Sequence, residues 1–127
     1  MPISYEFDAA LGFMTETWSG DIEIADVVEF WTNAAVRSEA QVIRRSLADV
    51  RLARPNFTPQ QLQATVRDVL MPRRLGRDWI TAILVQSVQQ FRVSQQYQLF
   101  EEYSSRSAIF SSRDEALSWL LRQELRT

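Results

Sequence analysis

Asp78-Trp79-Ile80-Thr81-Ala82-Ile83-Leu84-Val85 is the stretch whose reading decides the fold. It follows Gly76, and after Trp79 only Thr81 interrupts the apolar run. A strand that borders water on one side alternates apolar and polar residues. A strand that stays apolar at successive positions is covered on both faces, as central parallel strands are. The segments before and after it must then supply the covering layers.

Upstream, Ile3, Tyr5 and Phe7 alternate with Ser4, Glu6 and Asp8, the period of a half-buried strand. Asp8-Ala9-Ala10-Leu11-Gly12 turns the chain into a second strand, with Phe13, Thr15 and Thr17 on one side and Met14, Glu16 and Trp18 on the other. It ends at Ser19-Gly20-Asp21, and the pair is predicted to form a hairpin. A helix follows from Glu23 to Arg37. Asp21, Glu23 and Asp26 favour its positive N-terminal end, and Val27, Val28, Trp31, Ala34 and Ala35 form its apolar stripe. Phe30 falls at the edge of that stripe, a position for core margin or partner contact. The third strand is predicted over Val42–Val50, with Arg51 and Arg54 after it. Thr58-Pro59-Gln60-Gln61 is a helix start: a capping hydroxyl, proline at the first helical position and glutamine completing a capping box. Leu62, Val66, Val69 and Leu70 are its apolar face, and Pro72 and Gly76 end it.

Downstream, a third helix is predicted from Val88 to Tyr103. It has two apolar sides, Val88, Phe91 and Leu99 on one and Val93, Tyr97 and Phe100 on the other. One side faces the sheet. The other meets neighbouring helices or a second copy of the chain. Ser107–Phe110 is the fifth strand. Ser112-Arg113-Asp114-Glu115 is a second capping box, opening a last helix with Ala116, Leu117, Trp119, Leu120 and Leu121. The order is ββαβαβαβα, an α/β single domain over residues 1–127. Its sheet is five-stranded and mixed, mostly parallel, with flanking helices and an antiparallel first strand.

Composition narrows the chemistry. The chain has no Cys, no His and no Lys. Disulfides, nucleophile–His pairs, a Lys Schiff base and a P-loop lysine are excluded, and zinc, haem and iron–sulfur ligation lose their usual donors. Gly12, Gly20 and Gly76 make no dinucleotide or phosphate-loop motif. Glu23 and Asp26, an acid pair at helical spacing, read as helix-end electrostatics. The reading is non-enzymatic, with no cofactor and no metal. No signal-peptide pattern or apolar run of membrane-spanning length is present, so a cytoplasmic protein without a membrane span is expected. Net charge is −2, unlike a general nucleic-acid binder. The charge is uneven: residues 1–42 hold eight acids against Arg37, and residues 43–77 hold eight Arg against Asp49 and Asp68. The blocks pair across the fold, or the Arg block meets an anion or an acidic partner.

Three patterns carry a family resemblance. The first is Tyr5-Glu6-Phe7-Asp8, Leu11-Gly12 and Ser19-Gly20 before an acidic helix start. The second is the apolar fourth strand. The third is Ile109-Phe110 followed by Arg113-Asp114-Glu115-Ala116 and Trp119-Leu120. In this order the chain resembles the SpoIIAA-like proteins of the STAS-like superfamily, the fold of bacterial anti-sigma factor antagonists; a flavodoxin-like or other small α/β sandwich is the alternative fold. The resemblance implies a non-enzymatic regulatory or ligand-sensing domain; the preferred reading is a regulatory or protein-interaction module, with a domain that binds or senses a small anionic ligand as the alternative. In the antagonists a Ser of an Asp-Ser-x-Gly turn is phosphorylated. Here the matching stretch is Arg54-Pro55-Asn56-Phe57-Thr58-Pro59, which lacks that motif, and its one hydroxyl, Thr58, reads as a helix cap.

Two surfaces are expected to bind. Ligands of open parallel sheets lie beyond the carboxyl ends of strands, and helix N-termini attract anions. Arg51, Arg54, Asn56 and Thr58, with Gln86 and Ser87 after the fourth strand, form an expected site for a small anion, nucleotide or lipid headgroup. Arg73, Arg74 and Arg77 are placed at the opposite edge and left out of it. Phe30, Phe91 and Leu99 form the expected interface with a protein partner or a second copy in a homodimer.

Overall fold

β4 (Trp79–Leu84) is buried along its whole length. The structure, a computed structural model, describes residues 2–74, 78–101 and 105–125, without the side chains at 35, 36 and 38–41. β4 lies between β3 (Arg45–Asn56) and β5 (Ser105–Phe110) and runs parallel to both. Trp79 and Ile83 enter one core cluster, Ile80 and Ala82 another. Alternate side chains meet different helical layers, which explains the near-continuous apolar run.

β1 (Ile3–Asp8) pairs antiparallel with β2 (Phe13–Glu23), which is parallel to β3, so the sheet order is β1-β2-β3-β4-β5. The hairpin closes as expected. Gly12 adopts φ +74° and its N–H donates to the Asp8 carbonyl at 2.8 Å, while Asp8 Oδ1 accepts from the Leu11 N–H at 2.9 Å. Each parallel crossover steps to the next strand in one direction. Right-handed connections therefore stack α1 (Ile24–Gln41), α2 (Pro59–Thr65) and α4 (Val88–Phe100) on one face, where α2 touches both others. α5 (Arg113–Arg122) covers the opposite face, where Ala116 and Leu120 pack on Phe13, Leu47, Ile80 and Ala82.

The element order is the expected one, but several boundaries move. β2 and β3 stay paired as far as Glu23↔Asn56, well beyond Ser19 and Val50. Thr17 pairs with Asp49 and Ser19 with Leu52, so Val50 and Arg51 stand opposite Trp18 alone, a bulge that lets the ladder continue. β3 also starts later than expected, at Arg45, because α1 runs on to Gln41. The buried stripe of α1 is Val27, Phe30, Trp31 and Ala34, and Val28 is 36% exposed. The hairpin extends the sheet beneath α1, so Phe30 lands between the rings of Tyr5 (5.6 Å) and Trp18 (5.8 Å). The Ala35 side chain and Gly76 lie outside the described residues.

Pro72 does not end its helix. α2 passes into a π-helical segment, Val66–Leu70, and then into α3 (Met71–Arg74). The Met71 N–H donates to the Val66 carbonyl five residues back, and this wider turn accommodates a proline that has no N–H to give. α4 ends at Phe100, with Tyr103 outside the described residues, and β5 begins at Ser105. At α5, Ser112 Oγ accepts from the Glu115 N–H at 3.4 Å, one half of the expected capping box.

Candidate functional site

The strand edge singled out from sequence is built differently from its expectation. Arg51, Arg54 and Asn56 lie inside β3 rather than after it. Arg51 is held by Asp49 at 2.9 Å, Arg54 by Asp21 at 2.8 Å, and Asn56 Nδ2 donates to Glu23 at 2.6 Å. The cause is the β2–β3 register, which sets Asp21 against Arg54 and Glu23 against Asn56. Arg54, by hydrogen bond and charge, holds the Asp21 carboxyl below its usual range. The acidic first third and the Arg block thus meet across the fold. Thr58 forms the expected capping box with Gln61, and Ser87 forms another with Gln90. Gln86 Nε2 donates to the Arg51 carbonyl at 2.6 Å. Each of the six side chains is engaged within the fold.

Of the expected interface residues, Phe30 is corrected to the core, at 5% exposure. Phe91 (42%) and Leu99 (82%) are exposed on the outer side of α4, with Val88 beside them. That side does not meet a neighbouring helix, because Val93, Tyr97 and Phe100 turn α4 toward the sheet.

A different place concentrates unusual chemistry. Between the sheet and α1, α2 and α4 lies a cavity of about 90 Å³. Its walls are apolar, with Ile22 and Val50 from the sheet's first half, Ile83 from β4, Trp31 from α1, Leu62 from α2 and Val93 from α4. Six polar side chains interrupt them: Glu16, Arg74, Thr81, Gln90, Ser94 and Tyr97. Three of these are scaffold. Gln90 Nε2 donates to the carbonyls of Arg51 (2.9 Å) and Ala53 (3.0 Å), Ser94 Oγ donates to the Gln90 carbonyl (2.8 Å), and Thr81 shares a hydrogen bond with Ser46 (3.2 Å).

The other three carry the electrostatics. Arg74 is 7% exposed. Its Nη1 donates to Tyr97 Oη at 2.8 Å and Ser105 Oγ at 2.9 Å, and its Cζ lies 4.7 Å from the Trp79 ring centroid. Burial pushes the Tyr97 phenol up to about 12, so it keeps its proton. Glu16 is 5% exposed, with Oε1 accepting from Trp18 Nε1 at 3.0 Å. Burial pushes its carboxyl up; the Trp18 bond, the Arg74 charge and a Ser46 bond pull down and do not win. Glu101, at the end of α4, is likewise pushed up chiefly by burial, although Ser107 Oγ donates to it at 3.0 Å. The cavity therefore holds a fixed cation, Arg74, and one carboxyl group, Glu16, that burial disfavours ionising. Among the described residues, no group of three or more His, Cys, Asp or Glu could share a metal ion, and no helix is long and apolar enough to cross a membrane.

Sequence reasoning passed over both charged members of the cavity. Glu16 left a signal: the alternation of β2 puts it on the face of Met14 and Trp18, where a carboxylate needs a reason. Arg74 left none. Helical spacing from Leu62 and Val66 reaches Val69 and Arg73, but the π-helical turn adds a residue, and the buried set becomes Leu70, Met71 and Arg74.

No protein-family model matches the chain, and no curated protein matches it. Among solved structures it is similar to the crystal structure of an uncharacterized protein from the DUF3478 family with a SpoIIAA-like fold, from Shewanella loihica PV-4. The match covers 93% of this chain and 91% of that one, with a TM-score of 0.60 and 17% sequence identity. A likeness at that identity speaks for architecture and not for activity. The ββαβαβαβα order, the mostly parallel sheet and this match together give the chain a SpoIIAA-like fold.

Proposed function

We propose that the protein is a non-enzymatic ligand-binding module whose site is the cavity beneath α1, α2 and α4. One observation carries the reading: a buried guanidinium, Arg74, set among a few polar side chains in a mainly apolar-walled cavity. Burying a charge costs several kcal/mol, and a concave apolar site with few convergent polar groups is the common form of a small-molecule site. The expected anion site thereby moves from the strand edge to the interior. At about 90 Å³ the cavity suits a fragment-sized ligand, since a void of roughly 150 Å³ takes up benzene. Trp18 and Trp31 line it and report on its contents. Fragment-sized compounds should change tryptophan emission saturably and raise the thermal midpoint. If no fragment of any charge does either, the reading falls.

A second reading rests on the outer side of α4, where Val88, Phe91 and Leu99 expose apolar surface. There the module contacts a second copy of the chain. Light scattering over a range of concentrations should then show a dimer that Leu99→Ser weakens; a monomer throughout removes this reading.

A further inference from the structure

We propose that the cavity's ligand is a small monocarboxylate with an apolar tail, taken up together with a proton that Glu16 receives. This rests on the cavity being a ligand site. Arg74 brings one fixed positive charge, and Nη1 is committed to Tyr97 and Ser105. Its Nε and Nη2 make no hydrogen bond to a described side chain, an edge that suits the two oxygens of a carboxylate. A phosphate dianion would bring a second charge that nothing in the lining balances. A cation would face Arg74. The walls supplied by Val50, Ile83 and Val93 accept an alkyl tail.

Glu16 shares this cavity from β2. Facing it are Trp18 on its own strand, Ser46 on β3 with Thr81 of β4 behind, and Arg74 of α3. α4 adds Tyr97 and, beyond it, Glu101. α1 and α2 add only apolar groups such as Val27 and Leu62. Of these groups Arg74 alone favours the ionised Glu16 through its charge. A carboxylate bound at Arg74 masks that charge and adds a like charge nearby, so Glu16 takes up a proton. The ligand's anion enters, one proton binds Glu16, and the cavity's net charge is unchanged.

The probes are sodium butyrate, butyramide and butylammonium chloride, titrated against tryptophan emission above the range in which butyrate itself titrates. Butyrate should bind best, and Arg74→Met should weaken it at least tenfold. Wild-type affinity should fall with rising pH, by up to about tenfold per unit where Glu16 titrates, and Glu16→Gln should flatten that slope. Should Arg74→Met fail to fold, the wild-type slope and its loss in Glu16→Gln still decide. Equal or tighter binding of butyramide or butylammonium overturns the monocarboxylate while leaving the cavity a ligand site. A pH-independent butyrate affinity, or the same slope in Glu16→Gln, overturns proton uptake. Binding of none of the three overturns this inference, and the failure of wider fragments as well would take the cavity reading with it.

Discussion

Glu16 is the residue with the largest conflict between its chemistry and its place. It sits on the core side of β2, between Met14 and Trp18, and is almost wholly buried. Its carboxyl is pushed above its ordinary value of 4.5, chiefly by burial. The folded state therefore holds the proton more tightly than the unfolded chain. Any stability this gives is fully present below the ordinary value and is lost as pH rises through the folded one. Glutamine keeps the shape and an acceptor for Trp18 but has nothing to ionise. Glu16→Gln should match wild type in acid and exceed it by about 1–2 kcal/mol at neutral pH and above, the size of a relieved buried charge. Urea denaturation at matched pH values measures this. A variant less stable than wild type at neutral pH would mean that the ionised Glu16 is well compensated by Arg74, contrary to the burial argument.

At the scale of elements, legibility followed how local the cause was. The Thr58 and Ser112 caps, the Gly12 turn and the alternation of β1 are decided within a few residues, and the first three are expressed as hydrogen bonds or a dihedral of the expected kind. The length of β3 was not legible, since pairing with β2 across a bulge extends it. Nor was the end of α1, which runs to Gln41 and stops where Val42 takes φ +58°. That left-handed position after a helix is usually glycine, because a branched Cβ crowds the backbone there. Val42 is 74% exposed, so its side chain returns little packing. Val42→Gly should therefore stabilise the protein by about 1 kcal/mol, the strain removed exceeding the chain entropy added. A higher urea midpoint at unchanged m-value would show it, and a lower midpoint would place the main cost in the flexibility of the α1–β3 connection.

At the scale of the whole molecule, two cores share one sheet and differ in kind. The face under α5 is closed by Phe13, Leu47, Ile80 and Leu120. The opposite face keeps a cavity of about 90 Å³ beside a buried Arg and Glu. The sequence pattern showed that both faces are covered, through β4, but gave no sign that one is incompletely filled. Unfilled volume is a property of four helices and three strands meeting, and no segment carries it alone. An unfilled core costs stability, so a cavity kept for a ligand should trade stability against binding. Ala48 tests this. It lies in β3 on the cavity side, paired with Glu16 and Ile83, and is 6% exposed. Valine suits a strand and adds two methyl groups where volume is vacant. Ala48→Val should raise stability by about 0.5–1.5 kcal/mol and weaken the tryptophan response to butyrate. Higher stability with undiminished binding would separate the void from the ligand site. Lower stability would show that the wall at Ala48 is already closely packed, and that the space available to a ligand lies nearer Arg74.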